Sequence, residues 1–141
     1  MNTRDSFLKQ FRGPILGEIT DQSSDEEAFQ NATLRPILKL QNDLIVQIFQ
    51  NYVMQNKIPF NDFSVDKRIS AIETIITKDI QLQNTLKGIV ISLFTSDECV
   101  FYFNTVSSCN KRIKAMLIER LQSQLQLLQS LNLLFIFFFF I

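Results

Sequence analysis

The sequence predicts an all-α fold, an irregular bundle of five or six helices in a single domain. Apolar residues recur at spacings of three and four along most of the chain, which is the period of an amphipathic helix. Glycine and proline, which interrupt helices, number only three each among 141 residues. Several apolar runs follow a serine or threonine that can cap a helix. These observations predict a helical domain at residues 1–129 and a separate hydrophobic tail at residues 130–141.

The N-terminal segment is predicted to be a short helix followed by a loop. Residues 3–12 have helical spacing, with three large apolar side chains on one side. Gly13-Pro14 ends this helix, because proline cannot donate the hydrogen bond that would continue it. Residues 13–23 are then expected to form a loop.

A long helical pattern occupies the middle of the first half. Ser24 is its predicted N-cap, Glu27 completes a capping box, and the pattern runs to about Asn56. Pro36 interrupts it, so we expect a kink, or two abutting helices with Thr33 as a second cap. The apolar face is wide enough to contact several neighbours. It comprises Leu34, Ile37, Leu38, Leu44, Ile45, Ile48, Phe49 and Tyr52.

The next two segments differ in how clearly they can be assigned. Residues 58–62 form a turn, and Ser64 then caps an amphipathic helix. Its inward-facing residues are Val65, Ile69, Ile72, Ile75, Ile76 and Ile80. Residues 83–94 end in an almost wholly apolar, β-branched run, so helix and strand both remain open. Gly88 is expected to mark close backbone approach in a strand, or a tight crossing in a helix.

Two helices complete the predicted domain. Thr95 to Glu98 is a second capping box, and it opens a short helix through Tyr102. The last helix covers about residues 109–129. Its apolar stripe consists of Ile113, Met116, Leu117, Leu121 and Leu128.

The tail at residues 130–141 ends in four phenylalanines and an isoleucine, and three interpretations of it remain open. It is a membrane anchor, a hydrophobic plug for a partner or a second copy, or the product of read-through past a lost stop codon. A T-rich DNA stretch would encode such a run of phenylalanines. The apolar stretch from Leu125 offers seventeen residues, whereas a helix needs about 20 to cross a bilayer.

Composition and charge exclude several classes of protein. The chain has 14 basic residues (lysine plus arginine) and 14 acidic residues (aspartate plus glutamate), so its formal net charge is zero. It therefore has no net positive charge that would attract nucleic acid or anionic membranes. Histidine is absent, which excludes Ser-His-Asp and Cys-His nucleophile systems and histidine-ligated metal sites. Cys99 and Cys109 lack the spacing of a zinc site, and no export leader is visible. We therefore expect reduced thiols in a cytoplasmic protein without metal or cofactor.

Three polar residues lie on apolar helix faces and are the candidate site residues, namely Gln41, Asp79 and Arg120. A buried arginine can bind an anionic ligand, and its alternatives are an intramolecular ion pair or a side chain that extends to solvent. Gln41 either orients a ligand or is a hydrogen-bonded core amide. A basic cluster at the start of the last helix either contacts phosphate or is a solvated face. It consists of Lys111, Arg112 and Lys114.

Three stretches of the chain carry a resemblance to a known family. They are Leu34-Arg35-Pro36-Ile37-Leu38-Lys39-Leu40-Gln41-Asn42-Asp43, Leu86-Lys87-Gly88 and Asn110-Lys111-Arg112. With these residues the chain resembles a family of small bacterial helical proteins that often carry the label glyoxalase. The resemblance covers about residues 3–128 and stops before the tail. Glyoxalases of the paired βαβββ fold use histidine and glutamate metal ligands, so the resemblance places no catalytic residue in this histidine-free chain.

The favoured function is a non-enzymatic module for protein–protein contact or assembly, whose partner is itself, as a homodimer, or another protein. Its wide apolar faces need more cover than a few short helices supply. One alternative is a small-molecule binder or enzyme with a polar pocket between helices that involves Gln41, Asp79 or Arg120. The other is a tail-anchored membrane protein. No nucleic-acid partner is expected, and membrane contact is expected only if the tail inserts.

Overall fold

The computed structural model describes residues 2–126 and 128, and within these residues it contains α-helices and no strand. The α-helices are α1 (Thr3–Arg12), α2 (Asp25–Phe29), α3 (Arg35–Leu40), α4 (Asn42–Gln55), α5 (Val65–Lys78), α6 (Ile80–Ile91), α7 (Ser96–Asn104) and α8 (Val106–Gln122). A π-helical segment, Gln30–Leu34, joins α2 to α3, and a 3-10 turn, Phe60–Asp62, precedes α5. The all-α prediction is confirmed. With α2, the π segment and α3 counted as one run, the described chain has seven helices, slightly more than predicted.

Helices α5, α6 and α8 pack on one another, and α4 adds its buried face to the same core. The fully buried residues of the core include Ile45, Phe49, Ile72, Ile76, Leu86, Ile113, Leu117 and Leu121. The predicted face of α3 and α4 is mostly confirmed, but Leu44 is 42% exposed. Leu44 lies about 100° around the helix from the buried Ile45, beyond the part of α4 that its neighbours cover.

Of the two arrangements predicted at Pro36, two abutting helices with a new cap do not form, because the helical run continues through an irregular turn. The π segment Gln30–Leu34 leads directly into α3, because the Arg35 N–H donates to the Gln30 carbonyl five residues earlier. The prediction that Thr33 caps α3 is wrong. Helix α3 begins without a side-chain cap, and the Thr33 hydroxyl instead donates to Glu98. A helix that continues from the preceding turn has its first N–H groups paired already, so it needs no cap.

Two backbone carbonyls of the turn before Pro36 accept hydrogen bonds from the N-terminal segment. Because Pro36 has no N–H, it cannot donate to the carbonyls of the preceding turn. The carbonyl of Asn31 accepts from the Leu16 N–H at 3.0 Å, and the carbonyl of Ala32 accepts from Arg12 Nη2 at 3.3 Å. The irregular turn therefore attaches α1 and the loop that follows it to the rest of the protein.

A buried ion pair joins α1 to α7. Both Arg12 guanidinium ends contact Glu98, with Nη1–Oε1 at 2.5 Å and Nη2–Oε2 at 2.9 Å, and both side chains are almost completely buried. Glu98 also accepts from the Thr33 hydroxyl and from the Thr95 N–H, which is the reciprocal half of the predicted capping box. Burial alone would raise the pKa of Glu98, but the hydrogen bonds from Arg12, Thr33 and Thr95 lower it to about 2.

Helix α5 buries a narrower face than the sequence predicted. Ile72 and Ile76 are fully buried and Ile75 is partly buried, as expected. Val65 and Ile69 are 59% and 37% exposed, so the inward assignment of these two is wrong. Ile80, also assigned inward, is 58% exposed, because α5 ends at Lys78 and Ile80 begins the next helix. Helix α5 packs mainly on α6 and α8, and a helix at the edge of a bundle buries only a narrow stripe.

The open question at residues 83–94 is answered by α6, which is a helix through Ile91. Helix α7 begins at the predicted capping box, and α8 begins at Val106, a few residues earlier than predicted. The expectation that Gly88 marks a close approach or a tight crossing is wrong. A Cβ built on Gly88 meets nothing within 4 Å, so the glycine lies on an open face of α6.

Replacing Gly88 with alanine is therefore expected to stabilise the protein by about 0.5–1 kcal/mol, because alanine loses less backbone entropy in a helix. Urea unfolding of the full chain measures this change. Gly17→Ala is the matched control, with the opposite expected sign. Gly17 has a φ of +94°, and an added Cβ would lie 2.8 Å from the Asn31 side chain. A Gly88→Ala variant that unfolds at lower urea than the parent would contradict the prediction.

The tail at residues 130–141 lies outside the described residues, so its three interpretations stay predictions. In residues 2–126 no helix combines the length and the apolar character that crossing a bilayer requires.

Candidate functional site

A surface cavity of about 250 Å³ lies between α3 and α8. Its floor is apolar and consists of the buried Leu38 and the partly buried Met116. Its walls are polar or charged and consist of Gln30, Arg35, Glu119, Arg120 and Ser123. The cavity is somewhat smaller than the range of about 300–1,000 Å³ that is usual for drug-sized ligands, so it fits a molecule with few non-hydrogen atoms.

Two arginines at this cavity lack an acidic partner. In the part of the chain that the structure describes, neither Arg35 nor Arg120 has a carboxylate oxygen within 4 Å. Arg120 is half-buried, and one of its end nitrogens donates a long hydrogen bond of 3.3 Å to the Asn42 side chain. Burial lowers the pKa of Arg120, and the positive charge of Arg35 lowers it further. The cavity therefore concentrates positive charge that nothing in its walls neutralises by direct contact.

The local sequence explains why both arginines reach the cavity. In α3, Leu34, Ile37 and Leu38 face the core, which leaves Arg35 on the exposed side. In α8, the positions of the buried Leu117 and Leu121 place Arg120 at the border of the apolar stripe. Each arginine thus lies where its helix meets solvent, and the packing of α3 beside α8 brings the two borders together.

Amide side chains hold this end of α8 against the start of α4. Gln124 and Asn42 exchange hydrogen bonds of 2.7 and 2.8 Å, and Arg120 donates to the same Asn42 oxygen. Gln124 also donates to the Arg120 carbonyl at 2.9 Å. The position of Arg120 is thereby fixed by one backbone and one side-chain contact.

The structure separates the three candidate residues of the sequence analysis. Arg120 lines the cavity, but Gln41 and Asp79 do not. Gln41 lies at the junction of α3 and α4, where its amide donates to the Ile89 carbonyl at 3.3 Å. Asp79 is the N-cap of α6, where it accepts from the Leu82 N–H and the Tyr52 hydroxyl, and these bonds lower its pKa. Both residues thus have structural partners.

The basic cluster of α8 divides between two sides of the helix. Lys111 and Lys114 line a second, larger cavity of about 430 Å³, together with Glu73 and Glu119. Arg112 instead donates to the side chain of Gln30. We call the cavity at Arg35 and Arg120 the arginine cavity, and the cavity at Lys111 and Lys114 the lysine cavity. Glu119 lines both and lies between them.

Sequence reasoning missed Arg35, Gln30 and Glu119. Arg35 was part of the resemblance but was not singled out as a site residue, because an arginine on an exposed helix face is ordinary. Glu119 and Gln30 are polar residues on exposed helix faces, where such residues are ordinary. The one available signal was Arg120 on an apolar stripe, and Arg120 does line this cavity, but the signal pointed to only one of its charged residues.

Metal and thiol chemistry gain no support at this cavity. The described residues contain no group of three or more cysteine and carboxylate side chains placed to hold a metal ion. Cys99 and Cys109 are free thiols, and neither lines the arginine cavity. Burial raises the pKa of Cys109, which disfavours its thiolate.

Fold and site together define a small all-α protein with a charged, solvent-open cavity between two helices. Compared with known proteins, the chain matches no family model, no curated protein and no solved structure.

Proposed function

We propose that the protein binds a small anionic ligand in the cavity between α3 and α8. The observation that carries this proposal is that Arg35 and Arg120 line the same cavity. Among the described residues, no carboxylate oxygen lies within 4 Å of the side-chain nitrogens of either arginine. Arg120 is half-buried, and removing a charged group from water is unfavourable unless the group is paired. Two neighbouring guanidinium groups add mutual repulsion, so a bound anion would relieve both unfavourable terms.

The chemistry of the arginines defines what kind of anion fits. A guanidinium group donates two parallel hydrogen bonds to a carboxylate or phosphate, and such charge-assisted bonds are about twice as strong as neutral ones. The Ser123 hydroxyl already donates to the Arg120 carbonyl at 2.8 Å, so it is not directed at a base that would make it a nucleophile. The arrangement thus favours binding over catalysis.

Arg120→Ala is expected to weaken anion binding at least about tenfold, the effect of losing a hydrogen bond to a charged group. NMR titration of the full chain with acetate and with inorganic phosphate, at low salt, measures the affinities. Arg35→Ala is expected to act in the same direction. Arg4→Ala is the matched control, because it removes the same charge from α1 and does not line the cavity. The proposal would be contradicted if neither acetate nor phosphate caused saturable chemical-shift changes. It would also be contradicted if both arginine variants bound these anions as tightly as the parent.

A second candidate function is self-association, the kind of contact that the sequence analysis favoured, here through the N-terminal segment. Phe7 and Phe11 stack on each other with ring centroids 5.4 Å apart, yet they are 60% and 54% exposed. Ile15 and Ile19 follow them and are 56% and 42% exposed. Exposed apolar groups of this kind are typical of contact surfaces, and a homodimer would bury the same patch on both copies.

The double variant Phe7→Ser/Phe11→Ser is expected to shift the full chain from dimer toward monomer in sedimentation equilibrium. Phe103→Ser is the matched control, because Phe103 is 69% exposed on α7. A parent chain that sediments as a monomer at all concentrations would remove this candidate. Membership of the glyoxalase-labelled family stays a prediction, and nothing in the proposed function depends on it.

A further inference from the structure

The arginine cavity also contains an acidic residue without a basic partner. Glu119 lines the cavity and is exposed, and in the described residues no lysine or arginine nitrogen lies within 4 Å of its carboxylate. One cavity therefore holds two unpaired positive groups and one unpaired negative group. A simple anion satisfies the arginines and leaves Glu119 unpaired beside it. The repulsion between that anion and Glu119 then opposes binding.

We propose that the preferred ligand is a small zwitterion, an α-amino acid with an apolar side chain or a close analogue of one. This inference rests on the proposed anion-binding function and names its ligand class. The carboxylate of the ligand pairs with Arg35 and Arg120, and its ammonium group pairs with Glu119. Every charge at the cavity then has a partner, which is the condition under which charged groups can be removed from water.

The remaining walls of the cavity fit the rest of such a ligand. Leu38 and Met116 form an apolar floor on which an aliphatic side chain can pack, and methionine adapts its shape readily. The Gln30 side chain, already accepting from Arg112, adds a polar edge near the charged groups. A volume of about 250 Å³ suits a ligand of this size better than a nucleotide.

Three related compounds test this proposal by calorimetry on the full chain at neutral pH and low salt. Leucine carries both charged groups, isocaproate lacks the ammonium group, and isoamylamine lacks the carboxylate. We expect leucine to bind at least about tenfold more tightly than isocaproate, and isoamylamine to bind most weakly. Glu119→Gln is expected to remove the preference for leucine, and to leave the affinity for isocaproate equal or higher.

Glu73→Gln is the matched control, because Glu73 lines the neighbouring lysine cavity and not this one. Glu119 is exposed and the replacement is nearly isosteric, so the variant is expected to fold, and circular dichroism checks this. The zwitterion proposal would be overturned if isocaproate bound the parent as tightly as leucine does, or if Glu119→Gln left the affinity for leucine unchanged. Either result would still be consistent with an anion site. Failure of leucine, isocaproate, acetate and phosphate alike to bind would overturn both.

Discussion

Replacing Arg12 with alanine is expected to lower the free energy of unfolding by about 3–5 kcal/mol, the effect of removing one partner of a buried ion pair. The variant would leave the Glu98 carboxylate buried, with only the Thr33 hydroxyl and the Thr95 N–H as partners. Urea unfolding followed by circular dichroism measures the change. A loss of this size is a large part of the total stability of a domain of this length.

Lys9→Ala is the matched control for Arg12→Ala. Lys9 lies in the same last turn of α1, but it is exposed. Its replacement is expected to change stability by less than about 0.5 kcal/mol. If the two variants unfolded at the same urea concentration, the ion pair would contribute little beyond an ordinary surface charge.

The same ion pair predicts how stability depends on pH. The pKa of Glu98 falls from 4.5 to about 2 on folding, so its contribution is fully present above the unfolded value of 4.5. It is lost as the pH falls from 4.5 toward 2, because protonation then removes the partner of Arg12. A shift of this size corresponds to about 3 kcal/mol. Glu98→Gln is expected to flatten the stability profile in this acidic range relative to the parent.

Replacing Phe94 with alanine is expected to destabilise the protein by about 3–5 kcal/mol, through lost burial and the cavity left behind. Phe94 is completely buried at the junction of α6 and α7. Its ring packs edge-to-face on Phe29 at 5.5 Å and on Tyr102 at 5.8 Å, so it joins three separate segments. Urea unfolding measures the loss.

Phe103→Ala is the matched control for Phe94→Ala, since the same side chain is removed from a 69% exposed position on α7. Its effect is expected to stay below about 1 kcal/mol. Equal effects of the two variants would mean that the junction of α6 and α7 does not depend on the packing of Phe94.

The helix boundaries that the sequence predicted well depend on local signals. Ser24, Ser64 and Thr95 each accept from a backbone N–H three residues later, as their capping patterns predicted. The end of α1 at Gly13 was also predicted, and this glycine has a positive φ of 82°. Each of these features depends on residues within one helical turn, which is the range over which sequence patterns act.

The features that the sequence did not predict depend on tertiary packing. Arg12 and Glu98 are 86 positions apart, and neither departs from an ordinary helix pattern by itself. Leu44 and Ile69 carry correct helical spacing, but whether a neighbouring helix covers that part of the circumference is not encoded in the spacing. The cavity has the same origin, because Arg35 and Arg120 belong to helices whose relative placement only the folded core determines.

The π-helical turn before α3 also determines the direction in which the side chains before the turn point, relative to those of α3. In a regular α-helix, residues five positions apart point about 140° away from each other. Gln30 and Arg35 are five positions apart, yet both line the same cavity, because the widened turn carries one extra residue and places them in line. Restoring a regular helix by deleting one residue from the turn would rotate every earlier side chain by about 100° relative to Arg35. The irregular backbone is thus what places Gln30 and Arg35 on the same wall of the cavity.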